Sequence, residues 1–472
     1  EEISAMSSNA LERKPPQTMP HEPTRRTFLA QAATGIGVAV GASWSRPAAI
    51  VAQSSANVAQ SSRGDRFRVA LIGAGERGSE IGRQAAELGE LCAVADVNRD
   101  AAESFQARVG GQNCKVYQDY RRILDRSDID AILCGTPDHW HTRISVDAMR
   151  AGKDVYCEKP LTLTMDESRT ISRVTQETKR VFQVGTQQRS EFERRFLKAV
   201  ALARSGRLGK QLHALSSVGK ALAGGPFPPA QPSPQLDFDF WLGQAPRVDF
   251  RNERVGVNFR WWLEYSGGQV TDWGVHHTDI ALWALGGEET GIQSAEGQGV
   301  FPGLPYTTNV LDFLNGRATL PQQYNVAETF DCHLTLANGN SIQLTSGDNE
   351  LILSGELGKI RVNREGLTGK PIEEIEADSK LTEWLDNEVA TLYRHMPLEG
   401  HMANFFHCMR TREKPISDVW SHCQAVNACH MANIAMLTKQ KITFDAEAFR
   451  FDVPEATALI QRQQRRPWCV PC

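Results

Sequence analysis

A glycine-rich turn constrains this chain more than any other feature. Gly73-Ala74-Gly75-Glu76-Arg77-Gly78 follows an apolar run, Phe67 to Ile72, and opens a helical pattern, Gly78 to Leu88. Strand, tight turn and helix in that order let the backbone approach a pyrophosphate closely while the helix N-terminus offers free amides. Asp96 closes the next apolar run. An acid there hydrogen-bonds a ribose 2′-hydroxyl and repels a 2′-phosphate, so the pattern favours NAD over NADP.

The alternation continues beyond the turn. Leu91 to Ala95, Asp130 to Cys134, Asp154 to Cys157 and Val181 to Val184 read as strands, with helices near Ala101 to Val109, Ile144 to Ala151 and Met165 to Thr178. This grammar predicts an α/β fold, a Rossmann doubly wound parallel sheet over residues 66–185. Past Thr186 the period shortens to two in Gln211 to Val218, Thr329 to Leu336 and Ser341 to Leu344, with the hairpin signal Ala337-Asn338-Gly339-Asn340. Residues 186–472 are therefore expected to form an α+β substrate-binding domain on a largely antiparallel open sheet. Gly224 to Pro234, rich in proline and glycine, predicts an exposed loop, and Val419 to Leu437 a helix.

Upstream, Thr24-Arg25-Arg26-Thr27-Phe28-Leu29 leads an apolar stretch to Trp44 that Gly35, Gly37 and Gly41 interrupt. It is too short for a stable membrane span. Twin arginines, a short apolar core and small residues ending near Ala52 predict an export signal over residues 1–52, followed by a flexible linker over 53–65. The expected partner is the twin-arginine export machinery, and the expected address periplasmic or otherwise exported. A soluble nicotinamide pool belongs to the cytoplasm, so an exported dinucleotide protein is expected to carry NAD tightly bound. The formal charge of -4 and the lack of basic clusters past the leader argue against nucleic acid. Ten cysteines show neither disulfide-scaffold density nor paired zinc spacing, and Cys469 with Cys472 is not expected to act as a redox pair.

In doubly wound sheets, ligands sit beyond the carboxyl ends of the strands. Thr136-Pro137-Asp138-His139-Trp140-His141 and Glu158-Lys159-Pro160 both follow strands and should face the nicotinamide ribose. Lys159, held between an apolar strand and a proline, suits a group that polarises a substrate oxygen. A third segment, Gly267-Gly268 through Asp279, starts as a turn and continues as a helix to about Leu285. Asp272, His276 and Asp279 are spaced by four and three, which places them on one helical face. An imidazole supported by carboxylates is a natural proton acceptor near neutral pH. No thiol or second histidine shares that face, so no metal is expected.

With these motifs in this order, the chain from Arg66 onward resembles the Gfo/Idh/MocA oxidoreductases. The resemblance implies catalysis by Lys159, Asp272 and His276. It implies cofactor contacts from Gly73, Gly75, Glu76, Arg77, Gly78 and Asp96, joined by Thr136, Pro137, His141, Glu158 and Lys159. Arg189, Trp241, Arg260, Trp261 and His277 are the expected substrate side, and a homo-oligomer, dimer or tetramer, is expected. The leading expectation is an oxidoreductase acting on a sugar, cyclitol or glycoside hydroxyl carbon. The alternative is a redox-neutral, NAD-dependent glycoside-cleaving enzyme. Against it, Asp272 to His276 reads Asp-Trp-Gly-Val-His, which looks like the dehydrogenase pattern; a binding protein that has lost catalysis is the third option.

Overall fold

The computed structural model describes residues 66–471; the expected export signal over 1–52, the expected linker over 53–65 and Cys472 lie outside the described residues. The first sheet holds β1 (Arg68–Ile72), β2 (Glu90–Ala95), β3 (Lys115–Tyr117), β4 (Ala131–Cys134), β5 (Asp154–Glu158) and β6 (Phe182–Gly185). They pair in parallel in the order β3-β2-β1-β4-β5-β6. The order reverses between β1 and β4, which opens a crevice at their carboxyl ends. Both strands are buried almost throughout, as a parallel sheet covered on two faces requires. Helices Glu76–Leu88, Asp138–Arg150 and Met165–Thr178 supply the cover.

Two details differ from the sequence expectation. β3 was not expected; it is a three-residue edge strand without a buried residue, so it carries no apolar run to reveal it. The helix expected from Ile144 begins at Asp138, because Pro137 immediately precedes its first turn and Asp138, His139, Trp140 and His141 are all buried in it.

The second sheet contains β7 (His213–Val218), β8 (Ser294–Val300), β9 (Thr329–Thr335), β10 (Ser341–Ser346), β11 (Glu350–Gly355), β12 (Gly358–Val362), β13 (Leu367–Thr368), β14 (Ile442–Asp445) and β15 (Arg450–Phe451). Their order is β13-β12-β11-β7-β10-β9-β8-β14-β15, antiparallel at every step except β7 beside β10. In β9, Phe330, Cys332 and Leu334 are buried while Asp331 and His333 alternate outward, so one face packs and the other does not. Helices Gly274–Leu285 and Val419–Thr438 pack against this sheet. Both are buried nearly all round, so they form a shared interior layer rather than an amphipathic cover.

Part of the late sequence returns to the first sheet. Helix His401–Thr411 packs against helix Glu76–Leu88 and β6, with the Phe406 ring 6.3 Å from that of Phe67. His401 Nε2 lies 2.8 Å from the Val184 carbonyl oxygen, and its Nδ1 2.9 Å from Ser190 Oγ. Among the described residues, no helix is long and apolar enough to cross a membrane.

Phe406 therefore serves a sheet whose strands end at Gly185. Phe406→Ala should cost about 3–5 kcal/mol, the range for deleting a buried phenyl ring. Denaturant unfolding checks the loss, and amide exchange should show helix Glu76–Leu88 losing protection with it.

Candidate active site

The glycine turn works through close backbone approach. A Cβ on Gly78 would lie 1.8 Å from the Gly73 carbonyl oxygen, and one on Gly73, where φ is +87°, 2.8 Å from the Gly135 backbone. Only hydrogen fits at both places. At Gly75 a Cβ would meet nothing within 4 Å, so this residue borders open space at the N-terminus of helix Glu76–Leu88. That N-terminus has no side-chain cap, which leaves its amides for an anion. The turn opens into a cleft of about 1400 Å³. Drug-sized pockets occupy about 300–1,000 Å³, so there is room for a dinucleotide and a second small ligand.

Asp96 lines this cleft at the end of β2. Its carboxylate accepts from the Ala74 amide at 2.7 Å and the Asn98 amide at 2.8 Å, which ties the glycine turn to the second strand. Glu76, Arg77, Thr136, Pro137 and Glu158 line the cleft as well. Arg77 does not stand free: its guanidinium lies 2.9 Å from the buried Glu158 carboxylate. The open, uncapped turn with these polar groups beside it fits a dinucleotide.

At the far end, Lys159 Nζ sits 2.5 Å from Asp272 Oδ1 and 3.0 Å from the Asp272 carbonyl oxygen. Arg260 Nε reaches the same Oδ1 at 3.2 Å. Burial alone would raise the Asp272 carboxyl, but Lys159 and Arg260 outweigh it and hold it below the usual carboxylate range. His276 lies beside them, almost fully buried. Burial first, then the charges of Lys159 and Arg364, hold its pKa well below the histidine range, so the ring is neutral at pH 7 and keeps a lone pair. Arg364 Nη2 lies 3.4 Å from Nε2, a long contact that a substrate hydroxyl can replace.

Several expected roles change. Asp272 serves Lys159 and Arg260 rather than orienting the imidazole, and a break at Trp273 separates its short helix, Gln269–Asp272, from Gly274–Leu285. Asp279 turns to Arg189 in a bidentate pair, both contacts 2.7 Å, with the Arg189 guanidinium 4.6 Å above the Trp283 ring. Arg189 is thus a buried strut and not a wall of the cleft. His277 is bound to Asn349 Oδ1 at 2.7 Å, and Trp261 packs among apolar side chains, so neither lines the cleft. Trp241 and Arg260 do line it. Gly78 lies beneath the turn, and His141 is buried under the loops after β4 and β5, each ring nitrogen against a backbone carbonyl.

Two further residues reach the cleft. Asp138 is buried there, and burial pushes its carboxyl up to about 7 against a hydrogen bond from Ser266. Its place after Thr136-Pro137 was the available signal. Arg364 arrives from the turn after β12 and shows no sequence signal beyond that turn.

Two family models match in chain order: the oxidoreductase family NAD-binding Rossmann fold over residues 67–186, and the oxidoreductase family C-terminal α/β domain over 223–298. The chain belongs to the Gfo/Idh/MocA oxidoreductase family. It is 28% identical over 240 residues to the rhizopine catabolism protein MocA of Rhizobium meliloti, covering 50% of this chain and 63% of that one. It is 31% identical over 158 residues to a glycosyl hydrolase family 109 protein of Shewanella sp. strain W3-18-1, covering 32% and 34%. It is 36% identical over 123 residues to an inositol 2-dehydrogenase of Klebsiella pneumoniae, covering 25% and 36%. The chain thus spans less than two thirds of the length of these relatives. Among solved structures, the WlbA dehydrogenase of Bordetella pertussis, in complex with NADH and UDP-GlcNAcA, matches with a TM-score of 0.57 at 18% identity, covering 81% of this chain and 99% of that one. At that identity the likeness is one of fold.

Within this Gfo/Idh/MocA chain, Arg189→Ala tests the strut. It strands the Asp279 carboxylate in a dry interior, so stability should fall by about 3–5 kcal/mol. Chemical denaturation reads the loss, and an effect near zero would return Arg189 to the substrate side.

Proposed function

We propose that this protein is an exported NAD-dependent oxidoreductase that passes hydride between a carbinol carbon of a sugar, cyclitol or glycoside and a tightly held cofactor. The observation that carries this reading is the 2.5 Å contact of Lys159 with Asp272, with His276 beside it, in the same cleft as the glycine turn. Similarity to an inositol 2-dehydrogenase supports the substrate class, and Arg25-Arg26 before an apolar run supports export.

Bound NAD supplies the hydride acceptor. Lys159 donates a hydrogen bond to the substrate oxygen and steadies negative charge as it develops there. Asp272, itself fixed by Arg260, holds the ammonium in place. His276, kept neutral by burial and neighbouring cations, takes the hydroxyl proton on Nε2 once the hydroxyl has replaced Arg364. Trp241 and Phe259 wall the cleft with apolar surface that suits a sugar face.

Similarity to family 109 glycosyl hydrolases favours one second reading, in which the same groups serve redox-neutral cleavage. In that reading oxidation at a ring carbon would acidify the neighbouring C–H, elimination would expel the aglycone alcohol, water would add to the unsaturated ketone, and reduction of the ketone would close the cycle with no net redox change. Glycosides incubated in deuterated buffer separate the two. The leading reading gives a ketone or lactone with lasting nicotinamide absorbance, whereas cleavage with deuterium uptake and no net reduction would establish the second.

Lys159→Ala and His276→Ala should each slow single-turnover hydride transfer by roughly 100-fold or more while the fold stays intact. Activity within a few-fold of wild type removes that residue from the mechanism. Mass spectrometry of the denatured protein should release NAD that was never added, and nucleotide-free protein that binds NAD weakly overturns the retained cofactor. Asp96→Ala should relax discrimination against NADP, read as the ratio of the two dissociation constants.

A further inference from the structure

Beneath the loops that carry Thr136 and Lys159 lies a cluster that the reaction above leaves unused. Cys134 ends β4, Cys157 is its register partner on β5, and His141 stands in the first turns of helix Asp138–Arg150. All three are buried, and one ligand atom from each lies within 4.8 Å of the others. Two sulfurs and an imidazole at that spacing suggest a soft metal first.

The imidazole argues otherwise. Nδ1 lies 2.7 Å from the Pro160 carbonyl oxygen, and Nε2 lies 2.8 Å from that of Thr136. Carbonyl oxygens only accept, so both ring nitrogens must donate and neither lone pair is free for a metal. A neutral ring would press its bare nitrogen against a carbonyl at hydrogen-bond distance. A doubly protonated ring removes that clash, but a charge this deep needs a nearby anion.

The surrounding acids are engaged elsewhere or hold a proton more readily than usual. Glu158 faces Arg77 and Gln187, and burial raises the Asp138 carboxyl to about 7. His139, with its pKa lowered by burial, is uncharged. Cys134 remains: Thr136 Oγ1 lies 3.4 Å from its Sγ, and Cys157 is its neighbour across the β4–β5 pairing. Burial by itself would raise the Cys134 thiol; the Cys157 hydrogen bond, the charge of His141 and Thr136 outweigh it and bring it below the usual thiol range. Cys157 moves the opposite way, raised by burial and by the hydrogen bond and charge it shares with Cys134.

We propose that Cys134 and His141 form a buried thiolate–imidazolium pair that clamps the loop carrying Lys159 to the loop carrying Thr136. The imidazolium grips the Pro160 carbonyl, one residue past Lys159, and the Thr136 carbonyl on the other side. His141 and Cys134 are positioning residues. That role rests on the proposed use of Lys159, whereas the charge state of the pair does not.

Protein labelled with nitrogen-15 in histidine reads the charge state by NMR. His141 should show two ring N–H signals near neutral pH, assigned by their loss in His141→Gln or, if that variant does not fold, by comparison with Cys134→Ser. Cys134→Ser keeps the size of the side chain without its charge and should lose one of the two signals. Cys134→Asp restores an anion and should keep both. The folded wild type should also show an ultraviolet thiolate band that Cys134→Ser lacks and Cys157→Ser retains. One N–H in wild type, two in Cys134→Ser, or stoichiometric zinc in the purified protein overturns the pair. Lys159→Ala should leave these signals unchanged, so failure of the functional reading remains distinguishable from failure of the pair. On a substrate that the enzyme turns over, Cys134→Ser should lower kcat by roughly tenfold to a hundredfold at little cost in KM, with rescue by Cys134→Asp. An unchanged kcat overturns the clamp.

Discussion

Two carboxylates, seven positions apart, join the halves of this molecule by charge. Asp272 reaches Lys159 at the end of β5, and Asp279 reaches Arg189 just past β6. Asp272, Asp279 and Arg189 are buried and Lys159 nearly so, and a buried ion without its partner is far more costly than a lost surface contact. The segment from Gln269 to Leu285 therefore has one satisfactory seat against the first sheet, the seat that brings His276 beside Lys159. Chemistry split between distant parts of a sequence thus acquires a fixed geometry from electrostatic necessity added to apolar packing, which alone tolerates small slips far better.

Much of the architecture was legible because it rests on local rules. The glycine turn followed an apolar strand, the strands of the first sheet read as continuous apolar runs, and Ala337 to Asn340 announced the turn between β9 and β10. β3 escaped because three partly exposed residues on an edge have no period to detect. The site was legible wherever a side chain follows a strand directly, as Asp96, Thr136 and Lys159 do. It was illegible wherever the environment decides the role. Arg189 reads as a substrate-facing cation until Asp279 and Trp283 are seen around it. Trp261 and His277 share their neighbourhoods with residues that do reach the cleft, and only packing separates them. Arg364 comes from a turn beside β12, and nothing local predicts its meeting with His276.

The cleft distributes charge in opposed pairs rather than as a field of one sign. Arg77 faces Glu158, and Lys159 with Arg260 faces Asp272. Cations held this way keep His276 neutral without gathering the counterions that an unbalanced basic patch would attract. The carboxylates in turn fix each cation, so little rearrangement is needed when charge shifts during a reaction.

Helix His401–Thr411 gives the first sheet a history as well as a layer. The ribosome completes β6 long before it makes this helix, so the nascent Rossmann half emerges with the contact surface for Phe406 bare and the Val184 carbonyl unpaired. The first sheet is thus fully covered only after residues 401–411 have been made, and a closure of that sequence separation is intrinsically slow. Until that helix docks, the early half exposes apolar surface that the finished protein covers, so residues 401–411 decide when the first sheet is complete.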